Sequence, residues 1–478
     1  YSLSYDILGE GARTAADADR YFRDYMDAIE VIGTCEAARG PNPPSMSIKL
    51  SALHPRYELA QVTRCLPALT ERLRELCHAG AKYNMPITVD AEEVRRLELS
   101  LDIMDGVMSD PALKGWEGFG LAAQAYQKRA FALIDRLADM AKAHKRRLRV
   151  RLVKGAYWDS EVKRAQVLSM PDYPVFTRKV NTDLSYLVCA HKMLQRSDAF
   201  YPMFATHNAY TVAAILDMAG GGNRAFEFQR LFGMGEALYG IITGEKIAPV
   251  SIYAPVGPHQ DLLAYLVRRL LENGANSSFV NRVLNPEVPV ENLIEDPVRS
   301  AANSNTKRHP RIAMPQQIFA QEKPYGRANS HGLDLTDAPT VDMLYRAMKK
   351  FDKPYEAAPL IGGKVYKDTV PENCENPSHV AQSVGKVWPG NEALVEKAFR
   401  VAGDGFARWV RTPTKERADA LDRYADLLEQ HGTEIMNLCV REAGKTIPDA
   451  LAELREAVDF ARYYANRGRS DFADAGHD

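Results

Sequence analysis

The chain has 478 residues, of which 46% are hydrophobic, and a formal net charge of −1. It is long enough for two or three domains with a large buried core, and it has no overall field that would draw it to nucleic acid or to an anionic membrane surface. No apolar run approaches the ~18 to 20 residues of a spanning helix, and no charged, apolar, small-residue signal pattern opens the chain, so a soluble cytoplasmic protein is expected.

From residue 1 to about 285, short β-rich runs alternate with longer helical patterns. The predicted strands lie at 1–8, 47–53, 86–93, 118–126, 148–157, 202–209, 226–234 and 250–257, with amphipathic stretches such as 58–80, 128–145 and 178–196 between them. Eight strand-helix repeats predict an α/β fold of the (βα)8 barrel class rather than an open doubly wound sheet. Residues 286–357 have weak periodicity, several prolines and polar clusters such as "ANSNTKRHP", the composition of a linker arm. A second unit, 358–478, opens on a β-like "PLIGGKVY" and continues in helices near 391–409, 413–442 and 447–467. It reads as the incomplete, mainly helical start of another domain. Tyr1 rather than Met opens the chain, and the sequence reads as a piece of something longer.

Barrel enzymes work at the carboxyl ends of their strands. Polar residues collect there: Asp6, Lys49, Asp90 with Glu92 and Glu93, Gln124, Lys154 with Tyr157, His207 with Asn208, Gln229 and Tyr253. In "LRVRLVKGAYW" (148–158), Arg149, Arg151 and Lys154 alternate with strand-forming apolar residues. Buried unpaired, these cations would cost several kcal/mol each. Either Asp90, Glu92 or Glu93 pairs with them, or a bound anion such as a cofactor phosphate does, with Gly155 allowing close approach and Tyr157 and Trp158 offering flat surfaces to a ring system. On the helical stretch 262–279, Tyr265, Arg268, Arg269 and Glu272 share one face. That face is either an ordinary solvated one or a bidentate carboxylate grip tipped over the barrel mouth.

Other motifs carry less. "GFGLAA" (118–123) follows no strand and reads as barrel packing rather than a dinucleotide fingerprint, and "GGG" (220–222) lacks the Lys-Ser/Thr of a phosphate loop. The six cysteines are scattered, with no zinc spacing, and no metal site is expected. In "VREAGKT" (440–446), Glu442 and Lys445 have the composition of local caps and pairs.

Taken in order, "SIKLSALHPRY", "VDAEE", "QAYQKR", "RLVKGAYWDSE", "TRKV", "FATHNA", "IYAPVG" and "YLVRRLLENGANSSFV" resemble the proline dehydrogenase domain of the bifunctional proline utilization A flavoenzymes. Residues 286–357 and 358–478 are similar to that family's linker and the start of its aldehyde dehydrogenase domain. The resemblance implies a distorted (βα)8 barrel that binds FAD noncovalently and oxidises L-proline to Δ1-pyrroline-5-carboxylate by hydride transfer to flavin N5. It implies that Lys49, Arg268 and Arg269 grip the proline carboxylate, and that Asp90, Tyr157, Leu231, Tyr253 and Tyr265 shape the ring pocket. It places Arg151 beside N5. Further FAD contacts are implied at Asp90, Ala91, Ala122, Gln124, Val153, Lys154, Gly155, Ala156, Tyr157, Trp158, Thr177, Arg178, Lys179, Thr206, His207, Asn208, Gln229, Tyr253, Arg269, Glu272, Ser278 and Phe279. Phe232 and Ser251 depart from the family, which commonly has histidine and arginine there. A quinone electron acceptor, peripheral membrane association and an oligomer are compatible with the family. NAD-dependent oxidation of glutamate-γ-semialdehyde is implied for a full-length parent, since Cys374 and Cys439 lack the context of that domain's nucleophile. A DNA-binding module occurs in some members and is not in this sequence.

Two rival readings remain open on the residues alone. One is a Schiff-base (βα)8 lyase with Lys49 or Lys154 as nucleophile. The other is a noncatalytic carboxylate-binding module.

Overall fold

The computed structural model describes residues 1–9, 11–35, 40, 42–220, 225–258, 262–263, 266–267, 287–322 and 325–472. Two compact units divide them, one from residues 1–163 and 174–312 and the other from residues 164–173 and 313 onward.

In the first unit eight parallel strands close into a barrel: β1 (Ser2–Ile7), β2 (Ser45–Ile48), β3 (Ile87–Val89), β4 (Phe119–Gln124), β5 (Leu148–Val153), β6 (Phe200–Ala205), β7 (Glu227–Leu231) and β8 (Val250–Val256). The ring closes where β1 pairs with β8 from Ser2 opposite Ser251 to Ile7 opposite Val256. The intervening helices are α1 (Ala15–Thr34), α2 (Leu50–Leu53), α3 (Val62–Lys82), α4 (Leu97–Met108), α5 (Ala130–Ala143), α6 (Trp158–Val167), α7 (Lys179–Gln195), α8 (Ala209–Ala219) and α9 (Glu236–Gly244). The element predicted after β8 falls almost wholly outside the described residues.

Every strand obeys a period of two. Its apolar positions, among them Ile48, Leu121, Val150, Leu152, Phe204 and Phe228, join the buried helix faces in one continuous core. The alternate positions meet across the barrel interior and are mostly polar: Ser4, Ser47, Arg151, Glu227, Gln229 and Ser251 are all buried. Barrels of this class more often fill the interior with branched apolar layers. Here the hydrophobic core is the cylinder between sheet and helices, and the lumen is a hydrogen-bonded network.

Several predicted boundaries move for physical reasons. The strand expected at 47–53 stops at Ile48, and Leu50–Leu53 form one helical turn whose four side chains are all buried. β5 ends at Val153 because Gly155 takes φ +133°, where a β-carbon would strike the Tyr126 ring at 2.4 Å. That glycine therefore serves chain packing, which the anion argument did not anticipate. Asn208 ends the predicted 202–209 strand early by capping α8, its side chain accepting from the Thr211 N–H at 3.1 Å.

The second unit holds more sheet than its sequence pattern promised. Strands Glu372–Asn376 and His379–Val387 pair antiparallel, and Tyr355–Ala357 adds to the latter in parallel. The expected β-like stretch is the small hairpin Leu360–Ile361 with Lys364–Val365. The helix predicted over 413–442 is two, Thr414–Gln430 and Gly432–Ala443. Within 286–357 the helix Ala338–Lys349 contributes Leu344 and Met348 to this unit's core beside Met436, Leu454 and Val458. Lys445 pairs with Glu453 at 2.6 Å, the local role its composition suggested.

Gly120 of "GFGLAA" is barrel packing, as its context indicated: a β-carbon there would lie 1.9 Å from the Arg149 carbonyl oxygen of the neighbouring strand. Because that obstacle is backbone, Gly120→Ala is expected to destabilise the barrel by about 3 kcal/mol, the upper end for overpacking, seen as a lowered thermal midpoint. An unchanged midpoint would contradict this packing.

Candidate active site

Arg151 leaves the middle of β5 and crosses the lumen. Its Nη1 donates to Asp90 Oδ1 at 2.8 Å, its Nε to Gln229 Oε1 at 2.6 Å, and its Nη2 to the hydroxyls of Ser4 and Ser47 at 3.0 Å each. These partners stand on β1, β2 and β7 and just past β3, while the strands beside β5 supply none of them. The guanidinium also lies 4.9 Å from the centre of the Tyr253 ring.

Asp90 gathers the rest. Tyr253 donates its hydroxyl to Asp90 Oδ2 at 2.9 Å, and the Lys49 ammonium stands 3.6 Å from that oxygen while donating to Asp6 Oδ1. Two cations and two carboxylates thus share one buried centre with no net charge. Burial opposes the charged form of Lys49, but Asp6 and Asp90 outweigh it and hold the ammonium protonated. Burial of Tyr253, with Asp6 and Asp90 close by, raises its hydroxyl well above the usual range, so it stays a neutral donor. Below this centre the network continues: Gln229 Nε2 donates to Glu227 Oε1 at 2.7 Å, and Glu227 pairs with Arg149 at 3.2 Å.

The strand-end charges are thereby partnered by the chain itself. Asp90 takes Arg151, whereas Glu92 and Glu93 bind Arg96 instead, at 2.6 and 3.2 Å. Lys154 pairs with Asp183, which Lys179 also reaches at 2.6 Å. Burial alone would raise the Asp183 carboxyl, but these two ammonium groups hold it below the usual range. An anionic guest is thus no requirement for burying Arg151.

Of the other expected residues, those around the ends of β5 and β7 form a half-buried rim. Val153 ends β5, Lys154, Gly155, Ala156, Tyr157 and Trp158 follow it, and Leu231 ends β7. The Trp158 indole N–H donates to the Phe176 carbonyl at 2.8 Å. His207 accepts the Leu231 N–H on Nε2 at 3.1 Å, and Thr206 accepts the Asn208 N–H at 3.2 Å. Thr177 accepts the His309 N–H at 3.0 Å, and Arg178 donates to the Thr306 carbonyl at 2.6 Å. Ala91, Ala122 and Gln124 line a narrow cleft beside Asp90 with room for little more than one water molecule. The Gln124 amide there donates to the Glu92 carbonyl at 3.2 Å. Phe232 is exposed, and Ser251 donates to Glu227 at 2.9 Å. Tyr265, Arg268, Arg269, Glu272, Ser278 and Phe279 lie outside the described residues. Among the described residues no cluster could hold a metal ion, and no helix is long and apolar enough to cross a membrane.

Sequence reasoning missed Ser4, Ser47, Asp183 and Glu227, and noted Asp6 without a role. The signal was present in "SLSYDI", where Ser2, Ser4 and Asp6 alternate with apolar residues, and in "EFQRL", where Glu227 and Gln229 flank Phe228.

Residues 1–282 match the family model described as proline dehydrogenase. The chain belongs to the proline dehydrogenase family. Residues 367–475 match the aldehyde dehydrogenase family model, within the second unit. The bifunctional proteins PutA of Salmonella typhimurium and Escherichia coli are each 45% identical to this chain, over 498 and 493 residues, covering all of it and 37% of their own length. A crystal structure of a bifunctional proline utilization A protein superposes with a TM-score of 0.88 at 47% identity, covering 99% of this chain and 45% of that one. The chain thus spans less than half the length of these relatives.

Lys49→Met leaves the buried Asp6 carboxylate without its cation in this proline dehydrogenase-family barrel and should cost about 3–5 kcal/mol of stability near neutral pH. Burial raises the Asp6 carboxyl, and a carboxyl raised in the folded state contributes stability at low pH that is lost as pH rises through its folded value. Without Lys49 that rise should grow. The deficit relative to wild type should therefore narrow between pH 8 and pH 5 in chemical denaturation, and a deficit independent of pH would contradict the pairing.

Proposed function

We propose that the barrel oxidises L-proline to Δ1-pyrroline-5-carboxylate with FAD, as the family match supports. The observation that carries this reading is the charge-balanced floor of Arg151, Lys49, Asp6 and Asp90, with Tyr253, beneath a half-buried rim at the carboxyl ends of the strands. The donor set of the rim suits a flavin dinucleotide. Lys154 and Lys179 both reach the carboxylate of Asp183, and Arg178 holds the neutral oxygens of Ser304 and Thr306, so three cationic side chains gather at one part of the rim, the kind of donors a pyrophosphate takes.

FAD, when bound, supplies the acceptor for the hydride from the carbon next to the proline nitrogen. The chain supplies alignment and electrostatics. Arg151 presents a fixed positive charge, favouring negative charge that develops beside it. Lys49 has three N–H donors, of which Asp6 and Asp90 occupy two sides, leaving one direction for a substrate carboxylate. Arg268 and Arg269 complete that grip in our reading. Both oxygens of Asp90 already accept hydrogen bonds, so solvent is the natural acceptor of the proton that the amine releases.

The Schiff-base reading requires a neutral lysine amine. Lys49 between two carboxylates and Lys154 on Asp183 are both kept as ammonium partners, which speaks against it. Within a longer protein, residues 358–478 would belong to an NAD-dependent oxidation of glutamate-γ-semialdehyde. A quinone acceptor, reached by a cytoplasmic protein at a membrane surface, fits the proposal.

Anaerobic addition of L-proline to FAD-loaded protein should bleach the flavin band, whereas a colourless protein that takes up no supplied FAD would refute the proposal. Arg151→Met should slow flavin reduction or weaken FAD binding at least tenfold, and unchanged values for both would remove Arg151 from the site. Arg269→Met should raise the proline KM with FAD still bound, and a wild-type KM would exclude Arg269 from the grip.

A further inference from the structure

We infer that Glu227 is a positioning residue for the reaction, orienting Arg151 through the side-chain amide of Gln229; the inference rests on the proposed flavin chemistry at Arg151. Among the described residues no hydrogen bond joins Glu227 to Arg151 directly. Between them stands Gln229, whose Oε1 accepts from Arg151 Nε at 2.6 Å and whose Nε2 donates to Glu227 Oε1 at 2.7 Å.

A primary amide has one accepting end and one donating end, a guanidinium only donates, and an ionised carboxylate only accepts. The amide of Gln229 can therefore satisfy both neighbours in one sense alone. Reversed, it would set N–H against N–H at Arg151 and oxygen against oxygen at Glu227. Glu227 dictates the sense because its own place is over-determined. Ser251 donates to Oε1 at 2.9 Å, and Arg149 and Tyr201 donate to Oε2 at 3.2 and 3.3 Å. The residue is 6% exposed, and Arg149 balances its charge.

The consequence reaches the reacting centre. Holding Nε in place fixes the plane of the Arg151 guanidinium, so that Nη1 meets Asp90 while Nη2 bridges Ser4 and Ser47. Without the carboxylate the amide turns over part of the time, Nε loses its acceptor, and the guanidinium swings away from Asp90.

Glu227→Gln keeps the size of the side chain but sets an NH2 group among four donors. Flavin reduction by L-proline should slow at least tenfold with FAD still bound, and the two-electron midpoint potential should fall by about 30 mV for each tenfold loss of preference for the reduced flavin. In an Arg151→Met background the same substitution should change the rate less than twofold and the potential by less than about 10 mV, since a residue acting through Arg151 has nothing left to orient. Glu227→Asp, which keeps the carboxylate, should recover part of the loss. If Glu227→Gln fails to fold, Gln229→Met cuts the same link while leaving Glu227 with its other partners, and should give the same two shifts. Wild-type rate and potential in the variant, or an equal loss with and without Arg151, would overturn the inference. If wild-type protein itself is not bleached by proline, the functional reading falls and this inference with it; if wild type is bleached normally and neither Glu227→Gln nor Gln229→Met differs from it, Glu227 alone is removed.

Discussion

A guanidinium keeps its charge in a protein interior and brings five N–H donors with it, so burying one obliges the surrounding chain to answer each of them. Arg151 is 3% exposed, and its answers come from four separate points around the barrel: Ser4, Ser47, Asp90 and Gln229. A polar centre that draws on so many strands constrains their register, because a slip of one residue would carry Ser4 or Gln229 to the helix-facing side. The lumen network and the barrel's closure are in this sense one construction. The apolar cylinder outside the strands supplies the bulk of the burial, and the centre specifies how the strands line up.

The same arrangement prepares chemistry. Arg151 and Lys49 carry two positive charges, Asp6 and Asp90 two negative ones, and all four are held before any guest arrives. Such a site stabilises developing charge without first reorganising itself. Its charged groups are divided in space: the floor pairs Arg151 and Lys49 with Asp6 and Asp90, while Lys154, Lys179 and Arg178 gather at the rim. In the proposed function, substrate electrostatics belong to the floor and phosphate binding to the rim.

The barrel was legible in the sequence because eight apolar strand patterns alternate with helical ones, and strand identity survives errors of a few residues at the ends. Those errors came from tertiary effects on local pattern. "LSAL" reads as strand by composition, yet all four of its side chains are buried in a helical turn, and Gly155 ends β5 through its fit against Tyr126. Arg151, Lys49, Asp90 and Tyr253 stood out as candidates because charge and aromatic polarity in or just past buried strands are costly without partners, and the structure brings all four together. Their mutual pairing was not legible, since Asp90 lies 61 residues from Arg151 in the chain and nothing local selects it over Glu92. Glu227 escaped notice at the far end of its strand, where a glutamate resembles an ordinary loop charge until the barrel closes around it. The strands of the second unit were missed because exposed positions dominate both arms of the hairpin Glu372–Asn376 and His379–Val387, leaving little apolar alternation to read.

The central claim is that the Arg151 side chain is immobilised across the lumen by the chain itself. Hydrogen exchange of its guanidinium N–H groups, followed by nitrogen NMR on arginine-labelled protein, tests that most directly. The account predicts an Arg151 Nε–H signal protected nearly as long as the amides of the barrel strands. Exchange as fast as that of a solvent-exposed arginine would contradict it.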